Sequence, residues 1–258
     1  MATTRHQTPR RIMAGTAGAL AIAVAALMPV AATASTATPA ATGTTSCLAQ
    51  TIAAKQSPSV DTLRASGDCQ VKLRLTTLGR LSSEVSGSTV LTSSHVAALD
   101  AIITGTESSL QALQAKIDAD TTVSDLRTDI RAISTQDRVY LLVSRQVALV
   151  RADDQVDATA ANLTARAGQL QAAIAAGQSA GKNESAAAAR LAAMQRAIAA
   201  AEARVNGQAA LVLVLTPAQW DSGSARPVLN ADRRAVAAAR RDLRIAAARE
   251  GATLRALR

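Results

Sequence analysis

The stretch Val96–Ile117, VAALDAIITGTESSLQALQAKI, decides how this chain is read. Val96, Ile103, Leu110 and Ile117 stand seven residues apart, and Leu99, Thr106 and Leu113 occupy the complementary positions between them. Side chains at alternating steps of three and four share one stripe of an α-helix, so the stretch forms an apolar seam about three heptads long. At 1.5 Å per residue that seam runs about 33 Å, longer than an ordinary helix of a small globule. A rod of this kind buries its stripe against other rods.

The same spacing recurs on both sides. Leu191, Ile198, Val205 and Val212, with Met194, Ala201, Gln208 and Leu215, predict one continuous helix over 191–215. Leu149, Val156, Leu163 and Leu170 form a third stripe with Ala160, Ala167 and Ile174, and Leu229, Val236, Leu243 and Leu257 form a fourth, interrupted by Glu250. An earlier helix over 58–85 is lined by Leu63, Val71, Leu75, Leu78, Leu81 and Val85, although Gly67 and Gly79 fall inside it. No proline lies between Pro58 and Pro217. Ser57-Pro58, Thr122 with Asp125, Asn183, Thr216-Pro217 and Pro227 read as helix starts; Gly87, Gly177 with Gly181, and Gly223 read as stops.

One segment breaks phase. Leu126, Ile133, Tyr140 and Val147 keep the seven-residue step, but the next stripe begins at Leu149, and Val139–Val143 is continuously apolar. This predicts a bend at 140–148, near Ser144, with a short strand as the alternative.

Composition narrows the class. The 258 residues hold one Trp, one Tyr and no Phe, while Ala fills 62 positions. Such a chain suits neither a β-sandwich nor an α/β enzyme core, and it has almost no ring faces on which nucleic acid bases could stack. The fold expected is all-α, an elongated bundle of about five long helices with antiparallel coiled-coil pairing.

The N-terminal segment reads as an export signal over 1–34: Arg5, Arg10 and Arg11, an apolar run from Ile12 to Met28, then Pro29 and Ala32-Thr33-Ala34. Cleavage after Ala34 gives a secreted or envelope-located chain; a retained anchor is the alternative, and Arg10-Arg11 also admits a twin-arginine reading. Residues 35–46, rich in Thr, Ala and Ser and without charge, read as a disordered leader. Residues 47–177 then form a helical region, and 178–258 a C-terminal helical hairpin. In an exported chain the two cysteines, Cys47 and Cys69, are expected to pair, closing a loop for which chain entropy gives about 3 kcal/mol.

Candidate chemistry is sparse. His95 is the only histidine after the signal, which removes any histidine-built metal site, and with both cysteines oxidised zinc has no ligand set. No cofactor is expected, and no serine sits in a nucleophile elbow. His95 reads as an exposed first-turn residue. Asp153, Asp154 and Asp157 admit a calcium reading, but they lack a loop of alternating oxygens around a glycine, so a solvated helix face with an Arg151–Asp154 ion pair is expected instead. Paired carboxylates for sugar hydrolysis lack aromatic platforms.

Charge collects at one end. Over 35–223 the 16 Lys and Arg match 16 Asp and Glu, whereas 224–258 holds nine Arg against Asp232, Asp242 and Glu250. Arg233, Arg234, Arg240, Arg241 and Arg244 make a basic stripe beside the Val236–Leu243 seam. The stripe is either a solvated face paired with acids on neighbouring helices or a grip on anionic polymer or lipid headgroups.

Cys69-Gln70, Asp137-Arg138-Val139-Tyr140-Leu141-Leu142-Val143 and Val150-Arg151-Ala152-Asp153-Asp154 together resemble a group of uncharacterised exported helical proteins of high-GC Gram-positive bacteria. That resemblance implies a signal peptide, paired cysteines ahead of the first long helix, an R-V-Y segment in mid-chain and an Ala/Arg-rich last helix. It carries no activity. Proline often follows the R-V-Y run in those proteins, where this chain has Ser144-Arg145.

The expected function is therefore a non-catalytic structural or protein-interaction module of the cell envelope, acting by self-association or on another envelope protein, with Arg138 and Tyr140 as candidate contacts. The alternative is attachment to anionic cell-wall polymer or membrane through the Arg-rich last helix. An enzyme using carboxylates ranks below both, and nucleic acid is not an expected partner.

Overall fold

A computed structural model describes residues 40–258, with side chains from Cys47 onward. The expected signal, 1–34, and residues 35–39 of the leader lie outside the described residues. The chain runs through α1 (Ala40–Gln56), α2 (Val60–Ser86), α3 (Ser93–Ala119), α4 (Val123–Thr135), a π-helical turn (Val139–Val143), α5 (Ser144–Ser179), α6 (Ser185–Val205), α7 (Gln208–Leu213), α8 (Pro217–Asp221) and α9 (Ala225–Ala256). Among the described residues there is no strand, and the fold is an all-α bundle. Helix α1 takes in positions 40–46 of the stretch expected to be a disordered leader.

Local chemistry sets most boundaries. Helix α2 starts at Ser59, two residues beyond the expected Ser57-Pro58 signal, because Ser59 and Thr62 close a reciprocal capping box. Thr122 caps α4 by accepting from the Asp125 amide, as its spacing predicts. Helix α5 runs past Gly177 and ends in a Schellman turn at Gly181 (φ 80°), where the Lys182 amide donates to the Gly177 carbonyl and the Gly181 amide to that of Gln178. Helix α2 passes Gly67 unbroken. A Cβ there would stand 3.2 Å from side-chain carbons of Ile117 and Ile130, so the glycine lets α3 and α4 approach closely.

Two expected continuities fail. The helix predicted over 191–215 breaks after Val205, where Asn206 leaves the helical conformation (ψ 118°) and Gly207 is left-handed (φ 75°); α7 then begins as a separate helix. Buried Gln146 holds that excursion, its amide donating to the carbonyls of Val212, which also accepts from the Leu215 amide, and of Leu215. The mid-chain irregularity lies earlier than Ser144. Helix α4 stops at Thr135, Arg138 takes a left-handed conformation (φ 42°), and Val139–Val143 resumes as a π-turn leading into α5, not as a strand. The wider turn buries Val139, Leu142 and Val143 together and leaves Tyr140 half exposed, outside the seam that its spacing suggested.

Two apolar clusters fill the interior. The first joins α2, α3, α4, the π-turn and the start of α5 with α7, α8 and Leu229 of α9, around Leu78, Leu99, Leu110, Leu126 and Leu142. The second joins the rest of α5 and α9 with α6, around Val156, Leu170, Leu191, Met194 and Leu243. Helix α5 crosses from one cluster to the other between Val150 and Val156, and α9 between Leu229 and Val236.

The Cys47–Cys69 disulfide forms, with Cα atoms 5.5 Å apart, and ties α1 to α2. Replacing both cysteines by serine is expected to lower stability by about 3 kcal/mol in chemical denaturation. Gly79→Ala is expected to raise it by about 0.5–1 kcal/mol in the same assay, because the position is mid-helix and a Cβ there meets no atom within 4 Å.

Candidate functional site

The seam of α9 carries an acid. Its buried positions Ala225, Leu229, Asp232, Val236, Ala239, Leu243 and Ala246 alternate by four and three, so Asp232 occupies a core register. On α5, Asp153 stands three residues before Val156, at a step that the same stripe continues through Ala160, Leu163, Ala167, Leu170 and Ile174. The two carboxyls meet where the apolar clusters part. Both residues are buried, and no N–H or hydroxyl group among the described residues donates to any of their four carboxyl oxygens.

Two ionised carboxylates in such surroundings would repel each other in a medium that solvates neither. One proton removes the conflict. Burial first, then the neighbouring Asp232, Asp157 and Asp154 carboxylates, push Asp153 up to about 8. Burial also raises Asp232, opposed by the hydrogen bond it accepts from Asp153. The pair thus holds one proton at neutral pH, shared between the Asp153 and Asp232 carboxyls.

The neighbouring Asp154 is satisfied differently. Its carboxylate accepts from the Thr92 amide at 2.8 Å and lies 2.8 and 2.9 Å from Nδ1 of His95, which therefore carries a hydrogen. This corrects two expectations: Asp153 and Asp154 are not a solvated face, and His95, which does lie in the first turn of α3, is half-buried rather than exposed. It also replaces the expected Arg151–Asp154 pair, leaving Arg151 exposed. The contact joins α5 to the N-terminus of α3.

These groups line a cleft of about 460 Å³. Asp153, Asp154 and Asp157 come from α5, Glu202 from α6 and His95 from α3, and the Asn206-Gly207 turn forms one edge. Asp153 and Asp154 are buried at its floor, while Asp157 and Glu202 are exposed at its rim. Burial raises Asp157, and the Asp154 and Glu202 carboxylates add to the shift. The His95–Asp154 pair has the form of half an acid–base relay, but the lining residues include no Ser, Thr or Cys for it to activate.

The other expected positions are spread over the bundle. Arg138 forms an ion pair with Asp221 at the end of α8, and the guanidinium of Arg74 lies 5.3 Å from the centre of the Tyr140 ring. Trp220, unnoticed in the sequence, is buried between the guanidinium groups of Arg145 and Arg226, each 5.1 Å from its ring centre. Arg233, Arg234, Arg240, Arg241 and Arg244 are all exposed on α9. None of the five has an acidic partner within 4 Å among the described residues, although Arg204 and Arg166 of neighbouring helices pair with Asp242 and Glu250 of α9. Comparison of the chain with protein-family models, with curated proteins and with solved structures returns no match.

The carboxyl pair makes stability depend on pH. Because the folded protein holds a proton that an unfolded Asp releases near 4, this contribution is complete below that pH and is lost as pH rises to about 8. The expected loss approaches about 1.4 kcal/mol per pH unit for one proton. Asp153→Asn, whose amide donates permanently to Asp232, is expected to flatten the profile of denaturation midpoint against pH.

Proposed function

We propose that the chain is an exported, non-catalytic interaction module of the cell envelope, and that it makes contact through the arginine face of α9. The carrying observation is that Arg233, Arg234, Arg240, Arg241 and Arg244 are exposed and outside every ion pair among the described residues. A guanidinium face left unpaired beside acids that pair with other arginines is available to carboxylates and phosphates from outside. Ile245 lies half exposed among these arginines and adds an apolar contact. The partner class that fits is an anionic cell-wall polymer or membrane surface. Among the described residues no helix is long and apolar enough to cross a membrane.

The proposal includes cleavage of the 1–34 signal, the likeness to exported helical proteins of high-GC Gram-positive bacteria, and antiparallel coiled-coil pairing of the long helices. That pairing is supported by Arg190 of α6 donating to the Ala252 carbonyl, while Arg204 meets Asp242. As the residue number rises along α6, it falls along α9. Docking of another envelope protein, or self-association, is the second reading, favoured by the exposed Tyr140 and Leu141 beside Arg74.

Sedimentation with phosphatidylglycerol-containing vesicles and with cell-wall fragments tests the first reading. Each arginine near an anionic surface contributes about 1 kcal/mol, so changing Arg233, Arg234, Arg240 and Arg241 together to Gln is expected to weaken binding by more than about tenfold. Binding of the native chain should fall with added salt. Binding that is indifferent to salt and to the four substitutions would refute it.

A further inference from the structure

The turn between α6 and α7 carries the one asparagine–glycine pair in the chain, Asn206-Gly207. We propose that this pair is a site of self-modification, at which the Gly207 amide nitrogen attacks the Asn206 side-chain carbonyl and converts Asn206 into aspartate and isoaspartate through a cyclic imide.

Inside a helix the backbone prevents such an attack, because the nitrogen is hydrogen-bonded and its peptide plane is fixed from both sides. The 206–207 peptide escapes both restraints. The Asn206 amide donates to the Glu202 carbonyl at the end of α6, and the Leu211 amide donates to the Gly207 carbonyl at the start of α7. Between these two bonds the Asn206 carbonyl and the Gly207 N–H make no backbone hydrogen bond among the described residues. Both residues are exposed.

At ψ 118° the Gly207 nitrogen is turned away from the Asn206 side chain, and a swing of the peptide plane brings it round. Glycine keeps that swing local. Its φ turns in the sense opposite to ψ at Asn206, so the plane rotates while α6 and α7 stay in place, and a residue without Cβ tolerates φ on either side of zero. No backbone hydrogen bond is lost. The missing Cβ also leaves the attacking nitrogen unhindered. The other three asparagines lack this combination: Asn162 and Asn230 lie within α5 and α9, and Asn183 precedes Glu184 and accepts from the Ser185 amide through Oδ1.

Water is the only co-reactant. The Gly207 nitrogen loses its proton and bonds to Cγ of Asn206, the Cγ–Nδ2 bond breaks, and Nδ2 leaves as ammonia after gaining a proton. Water then opens the imide. Breaking the new N–Cγ bond gives aspartate. Breaking the bond from the same nitrogen to the Asn206 backbone carbonyl carbon gives isoaspartate, whose main chain runs through Cβ and Cγ. Either product adds a carboxylate at the edge of the cleft that Asp157 and Glu202 line. Isoaspartate also lengthens the link through which Ala209 and Val212 of α7 reach the first apolar cluster.

Ageing the folded full chain in warm neutral buffer, beside the same chain unfolded in urea, and mapping its peptides by tandem mass spectrometry tests this. Native Asn206 is expected to convert at least about tenfold faster than Asn162, Asn183 or Asn230, and within about tenfold of its own rate in urea. Isoaspartyl and aspartyl peptides should both appear at 206. A native rate lower than that relative to urea, equal or faster loss at another asparagine, or aspartate formed without isoaspartate would each overturn the proposal.

Discussion

Two aspartates facing each other inside an aliphatic seam are the constraint around which this bundle is arranged. Asp153 and Asp232 occupy positions that elsewhere on α5 and α9 hold Val, Leu, Ile and Ala. A buried carboxylate without a donor costs several kcal/mol, and two together cost more, so the layer is tolerable only with a positive charge, and a proton is the nearest one. The layer also lies where one apolar cluster gives way to the other, beside the Asp154 contacts that tie α5 to the start of α3. Polar groups buried in this way fix register, because sliding either helix by one turn would set each carboxyl against aliphatic side chains.

The rest of the interior follows from a chain almost without aromatic rings. Ala160, Ala201, Ala225, Ala239 and Ala246 are fully buried and let helix axes approach closely, but each removes little apolar area from water. Length compensates: α5 and α9 extend over 36 and 32 residues and carry the second cluster with α6. Long helices with narrow seams leave wide outer faces. On α9 that face carries arginines, and at the junction the Asn206-Gly207 turn and the start of α7 border the acidic cleft. Basic and acidic surfaces therefore occur on one bundle with different local causes.

Much of this architecture is legible in the residues. The seven-residue rows specify the long helices, Thr122 with Asp125 specifies a start, and the cysteine pair specifies the link between α1 and α2. Asn206-Gly207 is a turn signal of the ordinary kind, yet aliphatic spacing carried across it conceals the break. The left-handed Arg138 has no such signal, since only tertiary packing and its contact with Asp221 hold a non-glycine residue there. The buried acids show in register rather than in type: Asp232 is seven residues from both Ala225 and Ala239. Composition assigns aspartate to solvent, and only the pairing of α5 with α9 brings the second acid opposite. The same holds for His95, whose partner is 59 residues away.

The ionisation of the buried pair is the central physical statement, and carbon-13 NMR titration of the aspartate side-chain carboxyls reads it directly. With signals assigned by Asp153→Asn and Asp232→Asn, the account requires that the pair hold one proton through neutral pH and release it near 8. Complete ionisation of both groups near 4, as in an unfolded chain, would contradict it.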